Sequence, residues 1–103
     1  EHFSEQWLDE NGNPAGGISC GKGFCISWQN GPLGRGNERR EPNGAFVETI
    51  IDAAKKRLEF YQEGKFNCEE NEQAIHYLSL ALVALDKRTK ERECRDVEGT
   101  HEV

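Results

Sequence analysis

The hydrophobic period of this chain changes at residue 42, and no single secondary structure can serve both sides of that point. Before it, Gly12, Gly16, Gly17, Gly21, Gly23, Gly31, Gly34 and Gly36 crowd a segment that cannot hold a long helix, because each interior glycine costs a helix about 1 kcal/mol. Within the segment Phe24, Ile26 and Trp28 alternate with Cys25 and Ser27, the period-two pattern of a half-buried strand. Glu10-Asn11-Gly12-Asn13-Pro14 is turn chemistry, with Asn-Gly supplying a positive φ, and Phe3 to Leu8 reads as a strand before it. The pattern predicts a small antiparallel sheet, then a Gly/Arg-rich loop from Asn30 to Pro42.

After residue 42 the period is 3.6. Phe46, Val47, Ile50, Ile51, Ala54, Leu58 and Tyr61 fall on one helical stripe. Pro42 or Asn43 marks its start and Gly64 its stop. A second helix is expected to open at Asn67, with Glu70 as a capping-box partner, and to run through Ile75, Leu78, Leu82 and Leu85 to about Arg95. It would be roughly 40 Å long, and the short connection implies an antiparallel helical hairpin. Tyr77, Leu80, Ala81, Val83 and Ala84 add apolar surface that the first helix cannot also cover, so a homo-oligomer formed through the helices is expected. The fold class is α+β, one domain over residues 1–103: sheet and loop in 1–41, helical hairpin in 42–98, tail in 99–103.

A length of 103 residues fits one core and not two. A net charge of −6 argues against general duplex-DNA binding, and no apolar run reaches membrane-spanning length. Cys20, Cys25, Cys68 and Cys94 neither match a tight zinc spacing nor find a histidine cluster in His2, His76 and His101. Reduced thiols, no metal and a cytoplasmic location are the expectation. Gly16 to Lys22 formally fits a phosphate-binding P-loop, but Gly23 stands where Ser or Thr should hold magnesium, and a strand follows where a helix is needed. His76 lies on a helix among apolar neighbours, and no carboxylate pair suggests an acid and a base. The sequence therefore reads as a non-enzyme with no cofactor.

The arginines carry more information. Lys87 to Arg95 holds five basic residues against Glu91 and Glu93, and Arg88 and Arg92 share a helical face. Arg35, Arg39 and Arg40 lie in a Gly-rich loop, where guanidinium forks suit phosphate oxygens. Phe60, Tyr61 and Phe66 cluster at the expected hairpin turn, available to stack on a base. A small phosphorylated ligand fits this set. A solvated, charge-complementary helix end fits the helical arginines alone equally well.

The runs Asn30-Gly-Pro-Leu-Gly-Arg-Gly36, Arg39-Arg-Glu-Pro-Asn-Gly-Ala-Phe46, Leu58-Glu-Phe-Tyr61, Asn71-Glu-Gln-Ala-Ile75, Ala84-Leu-Asp-Lys-Arg-Thr89 and Val97-Glu-Gly-Thr-His101 resemble phage proteins of the Thoeris anti-defence group. The resemblance implies a sponge in the host cytoplasm that holds cyclic nucleotide alarm signals unmodified. The typical ligand is glycocyclic ADP-ribose made by TIR enzymes. Relatives sharing the hairpin, the anti-CBASS sponges, hold cyclic di- or trinucleotides. It further implies a small sheet plus two helices, assembled as dimers or hexamers. By position, the stacking aromatic falls at Phe60 or Tyr61, the polar helix-two residue at Asn71 and the helix-end arginines at Arg88 and Arg92. Arg35 and Arg39 would complete a phosphate clamp across a subunit boundary. The alternatives are a helical hairpin docking on a host protein and, less in keeping with the residues, a nucleotide hydrolase.

Overall fold

The computed structural model describes residues 1–103. Three strands, β1 (His2–Leu8), β2 (Pro14–Gly21) and β3 (Phe24–Asn30), form an antiparallel sheet in the order β1-β2-β3. Two helices follow, α1 (Val47–Gln62) and α2 (Glu69–Cys94), so the α+β class stands. The chain divides into two compact units: residues 1–46 with 92–103, and residues 47–91. No helix is long and apolar enough to cross a membrane.

The β1–β2 turn forms where Asn-Gly predicts it. The Asp9 carboxylate accepts the backbone N–H groups of Asn11 and Asn13 at 2.8 and 3.0 Å, and the bond from Asn13 heads the causes that hold its pKa below the usual aspartate range. The glycine-rich stretch that follows is β2, the central strand, rather than loop. Its glycines make room for β3: a Cβ at Gly21 would meet the Phe24 ring at 2.6 Å, and Gly21 and Phe24 are direct register partners. A second glycine pairing sets Gly17 opposite Trp28. Trp28 Nε1 donates to Ser19 Oγ at 2.9 Å, and that hydroxyl shares a 2.8 Å bond with Ser4 Oγ, tying the three strands by side chains as well as backbone.

Two expectations need correction here. Cys20 and Cys25 are not reduced thiols; they form a disulfide, whereas Cys68 and Cys94 are free and exposed. The two-residue Lys22-Gly23 turn makes Cys20 and Cys25 cross-strand partners with Cα atoms 4.1 Å apart, which brings the two sulfurs together. The first helix also starts later than Pro42 or Asn43. Asn43 exchanges two hydrogen bonds between its side-chain amide and the Asn30 backbone, at 2.8 and 3.0 Å. Ala45 continues as a parallel bridge to Trp28. Residues committed to the edge of β3 cannot be helical, so α1 begins at Val47.

In the second unit, α1 ends at Gln62 and Glu63 to Phe66 form the turn before α2. The capping residue of α2 is Cys68 rather than Asn67: the Cys68 sulfur accepts the Asn71 backbone N–H at 3.4 Å, and Asn67 turns its amide back to the Gly64 carbonyl at 2.7 Å. At 26 residues α2 is about 39 Å long. The apolar stripes of the two helices are not closed on each other, for their Cα atoms stay more than 8 Å apart throughout. No apolar side chain in the chain is buried, and Tyr77, Leu80 and Val83 are each more than half exposed.

Closing the short loop between Cys20 and Cys25 restricts the unfolded chain by an amount worth about 2 kcal/mol. The double substitution Cys20→Ser, Cys25→Ser is expected to destabilise the sheet unit by about that much, read by denaturant midpoint under non-reducing conditions. Peptide mapping should recover residues 20 and 25 cross-linked and residues 68 and 94 alkylated.

Candidate functional site

The seven candidate residues separate into two groups and one singleton. Arg35, Arg39 and Arg92 belong to the first unit, gathered by the C-terminal tail. Arg92, at the end of α2, is 8% exposed and donates through Nη2 to the carbonyls of Val97 and Thr100 at 3.0 and 3.1 Å. The chain reverses just after the helix, with Asp96 in the left-handed region at φ 59°. The returning tail meets the Gly/Arg loop where Gly34 N–H donates to the Gly99 carbonyl at 2.8 Å. Gly99 has φ 82°, and a Cβ built there would fall on the Gly34 carbonyl, so only glycine permits this approach.

That approach places Glu98 among the guanidinium groups. Arg39 Nη1 donates to Glu98 Oε1 at 2.8 Å, and Arg35 Nη1 donates to the Glu98 carbonyl at 2.7 Å. Arg35 also lies 3.9 Å from the Glu98 carboxylate and 3.6 Å from that of Asp96. The hydrogen bond from Arg39, followed by the charges of Arg39, Arg35 and Arg92, holds the Glu98 carboxyl below the usual glutamate range. The same partner raises Arg39. Arg40 faces elsewhere, donating to the Pro32 carbonyl at 3.0 Å.

Phe60, Tyr61 and Asn71 belong to the second unit and meet at the turn between α1 and α2. Phe60, Tyr61 and Phe66 are 59%, 36% and 70% exposed, and with Glu63, Gly64 and Lys65 they line a hollow of about 380 Å³. Asn71 Nδ2 donates to the Phe66 carbonyl at 3.3 Å, which fixes its amide at the edge of the turn. The sequence reading missed Arg57. Its guanidinium lies 5.0 Å from the Phe60 ring centre and 5.1 Å from that of Tyr61, and Nε donates to the Tyr61 hydroxyl at 3.3 Å. The signal was available, since residues three and four apart on a helix are neighbours. Lys65 Nζ lies 5.6 Å over the Phe66 ring. A wider hollow of about 460 Å³ on the sheet, around His2, Phe3 and Cys20, is lined by no lysine or arginine.

Arg88 stands alone. It is exposed on α2 and has neither an ion pair nor a hydrogen bond. Arg88 and Arg92 share a helical face in sequence but not a situation: one is a solvated cation, the other a buried fastener of the tail. Substituting Arg88 therefore tests ligand contact, whereas substituting Arg92 also frees the carbonyls of Val97 and Thr100.

Because the folded Glu98 pKa is depressed, its contribution to holding the tail is present above the ordinary glutamate range. It is lost as pH falls through the folded value. Acid titration should break the Arg39–Glu98 bond below that range while the backbone bonds keep the tail in place, seen as a chemical-shift change at the Arg39 guanidinium with amide protection retained at Gly34 and Val97. Glu98→Gln should abolish that acid-induced shift.

No family model matches the chain. It is 44% identical over 83 residues to "Thoeris anti-defense 1" of Bacillus phage SBSphiJ7. The match takes in 81% of this chain and 56% of the relative, so the chain spans little more than half of that protein's length. The matched share includes residues from both units, since 81% exceeds what either contributes alone. On this identity the chain is a relative of a phage Thoeris anti-defence protein.

Proposed function

We propose that the chain counters Thoeris defence as a sponge, binding glycocyclic ADP-ribose in the host cytoplasm and holding it without cleavage. The anti-Thoeris role rests on the named relative. The observation that carries the ligand class is the α1–α2 turn, where exposed aromatic rings and the Arg57 guanidinium lie together around an open hollow. A ring offers a base its π-face and a guanidinium offers a phosphate its donor fork. Arg88 adds an unpaired cation on α2, and Arg35 and Arg39 add a second cationic cluster on the loop. The groups gathered at both places are suited to binding: rings, guanidinium groups and an amide. Cyclic di- or trinucleotides made by cyclases carry the same base and phosphate chemistry and are the next ligands in line.

The working state is proposed to be a homodimer or hexamer. A single chain buries no apolar side chain, whereas a pocket that excludes water and a helix as apolar as α2 both call for a second surface. The same exposed stripe supports the rival reading of a module docking on a host protein. Light scattering separates the two, since a stable monomer would favour the docking reading.

A sponge must bind tightly against the concentration that triggers its target; nanomolar affinity corresponds to about −12 kcal/mol. Calorimetric titration with glycocyclic ADP-ribose should show such binding, and heat denaturation followed by chromatography should return the ligand intact. Cleaved product would mean an enzyme. Phe60→Ala is expected to weaken binding roughly tenfold to a hundredfold by removing a stacking platform. Arg57→Ala and Arg88→Ala should weaken it while leaving the helical circular dichroism unchanged. Wild-type affinity in all three variants would overturn the assignment of this turn.

A further inference from the structure

Glu98 occupies the loop arginines as a ligand would. Its carboxylate takes the 2.8 Å bond from Arg39 and stands 3.9 Å from Arg35. Its position is not set by that bond alone. The Gly34–Gly99 backbone bond, the Arg35 bond to the Glu98 carbonyl and the Arg92 bonds to the Val97 and Thr100 carbonyls fasten the tail on both sides of it. Four of these five fastenings use backbone acceptors or donors that do not depend on the Glu98 side chain. The carboxylate can therefore swing away while its backbone stays in place. Its side chain is 21% exposed and those of Arg35 and Arg39 are 39% and 43% exposed, so solvent and solutes reach the pair.

We propose that Glu98 is a built-in counter-anion of the Arg35–Arg39 site, displaced by a bound diphosphate and setting the charge a ligand must carry to enter. The inference rests on the reading that these arginines bind phosphate. A carboxylate and a phosphate present similar oxygen pairs to a guanidinium fork. A tethered carboxylate competes at the high effective concentration of an intramolecular group. Exchanging Glu98 for a singly charged anion replaces one ion pair by an equivalent one and gains nothing. A diphosphate carries anionic oxygens on two phosphorus centres, enough to engage Arg39 and Arg35 together, and exceeds what Glu98 supplied. Glu98 thus works as a specificity-determining residue: it excludes chloride, carboxylates and singly charged phosphodiesters and admits diphosphates.

The test is calorimetric titration of inorganic pyrophosphate and inorganic phosphate into wild type, Glu98→Gln, Glu98→Ser and Glu41→Gln at low salt. Glu41 lies in the same loop, takes part in no ion pair and matches the charge change. Both Glu98 variants are expected to bind pyrophosphate at least tenfold more tightly than wild type. They should gain more for phosphate than for pyrophosphate, so that discrimination narrows. Glu41→Gln should stay within twofold of wild type. The proposal is overturned if neither Glu98 variant gains affinity, or if Glu41→Gln gains as much as they do. Glycocyclic ADP-ribose titrated into the same proteins keeps the two readings apart. A pyrophosphate gain without binding of that nucleotide leaves the counter-anion standing and removes the sponge. Tight nucleotide binding with no gain in the Glu98 variants does the reverse.

Discussion

The constraint on which the rest of this structure depends is that a single chain buries no apolar side chain. Hydrophobic burial, at about 25 cal/mol per Å², is the usual source of stability, and here it is only partly realised within one copy: Ile50, Leu58, Ile75, Leu78, Leu82 and Leu85 stop at half-buried. The first unit is held instead by what its glycines allow. Two strand pairings, the Ser4–Ser19–Trp28 side-chain chain and the Cys20–Cys25 bridge tie the sheet. Buried Arg92 folds the tail back on the end of α2 through two backbone carbonyls. The second unit has fewer such ties. A helix of 16 residues is marginal in water on its own, so α1 and α2 need a cover for their apolar stripes. The oligomer proposed above is the economical cover, because each copy brings the same deficit.

Local periodicity made much of this legible. Alternation at Phe24, Ile26 and Trp28 marks β3, and the 3.6 spacing marks both helices. What escaped is everything set by pairing. Strand β2 hides because Gly17 and Gly21 are there to accommodate the Glu5 carbonyl on one side and the Phe24 ring on the other, so its own side chains carry no alternation. The disulfide hides with it, since Cys20 and Cys25 become neighbours only once β2 is known to turn at Lys22-Gly23. The start of α1 was misplaced because Asn43 looks like a helix cap and is instead a surrogate strand residue on Asn30. At the site, Arg35 and Arg39 were visible as cations in a flexible loop, but their counter-ion lies some 60 residues away and is brought home by a left-handed Asp96 and by Gly99.

The two cationic places now differ in a way that composition could not show. At the α1–α2 turn, Arg57 is oriented by ring faces and a phenol hydroxyl, which leave its charge uncompensated. At the loop, Arg39 is compensated by Glu98 at hydrogen-bond distance. A protein of net charge −6 repels anions at long range, but at physiological salt that field is screened beyond about 8 Å. Capture then depends on cations within that distance of the ligand. An uncompensated guanidinium attracts any anion, and its selectivity has to come from the neighbouring rings, which favour a planar base. A compensated one attracts weakly and selects by charge, since a ligand must outbid the carboxylate already there. A nucleotide with a base and a diphosphate satisfies both demands, whereas a nucleobase alone or an inorganic ion satisfies one. Each place is thus undiscriminating in the property the other reads, and the two are chemically distinct whatever ligand reaches them.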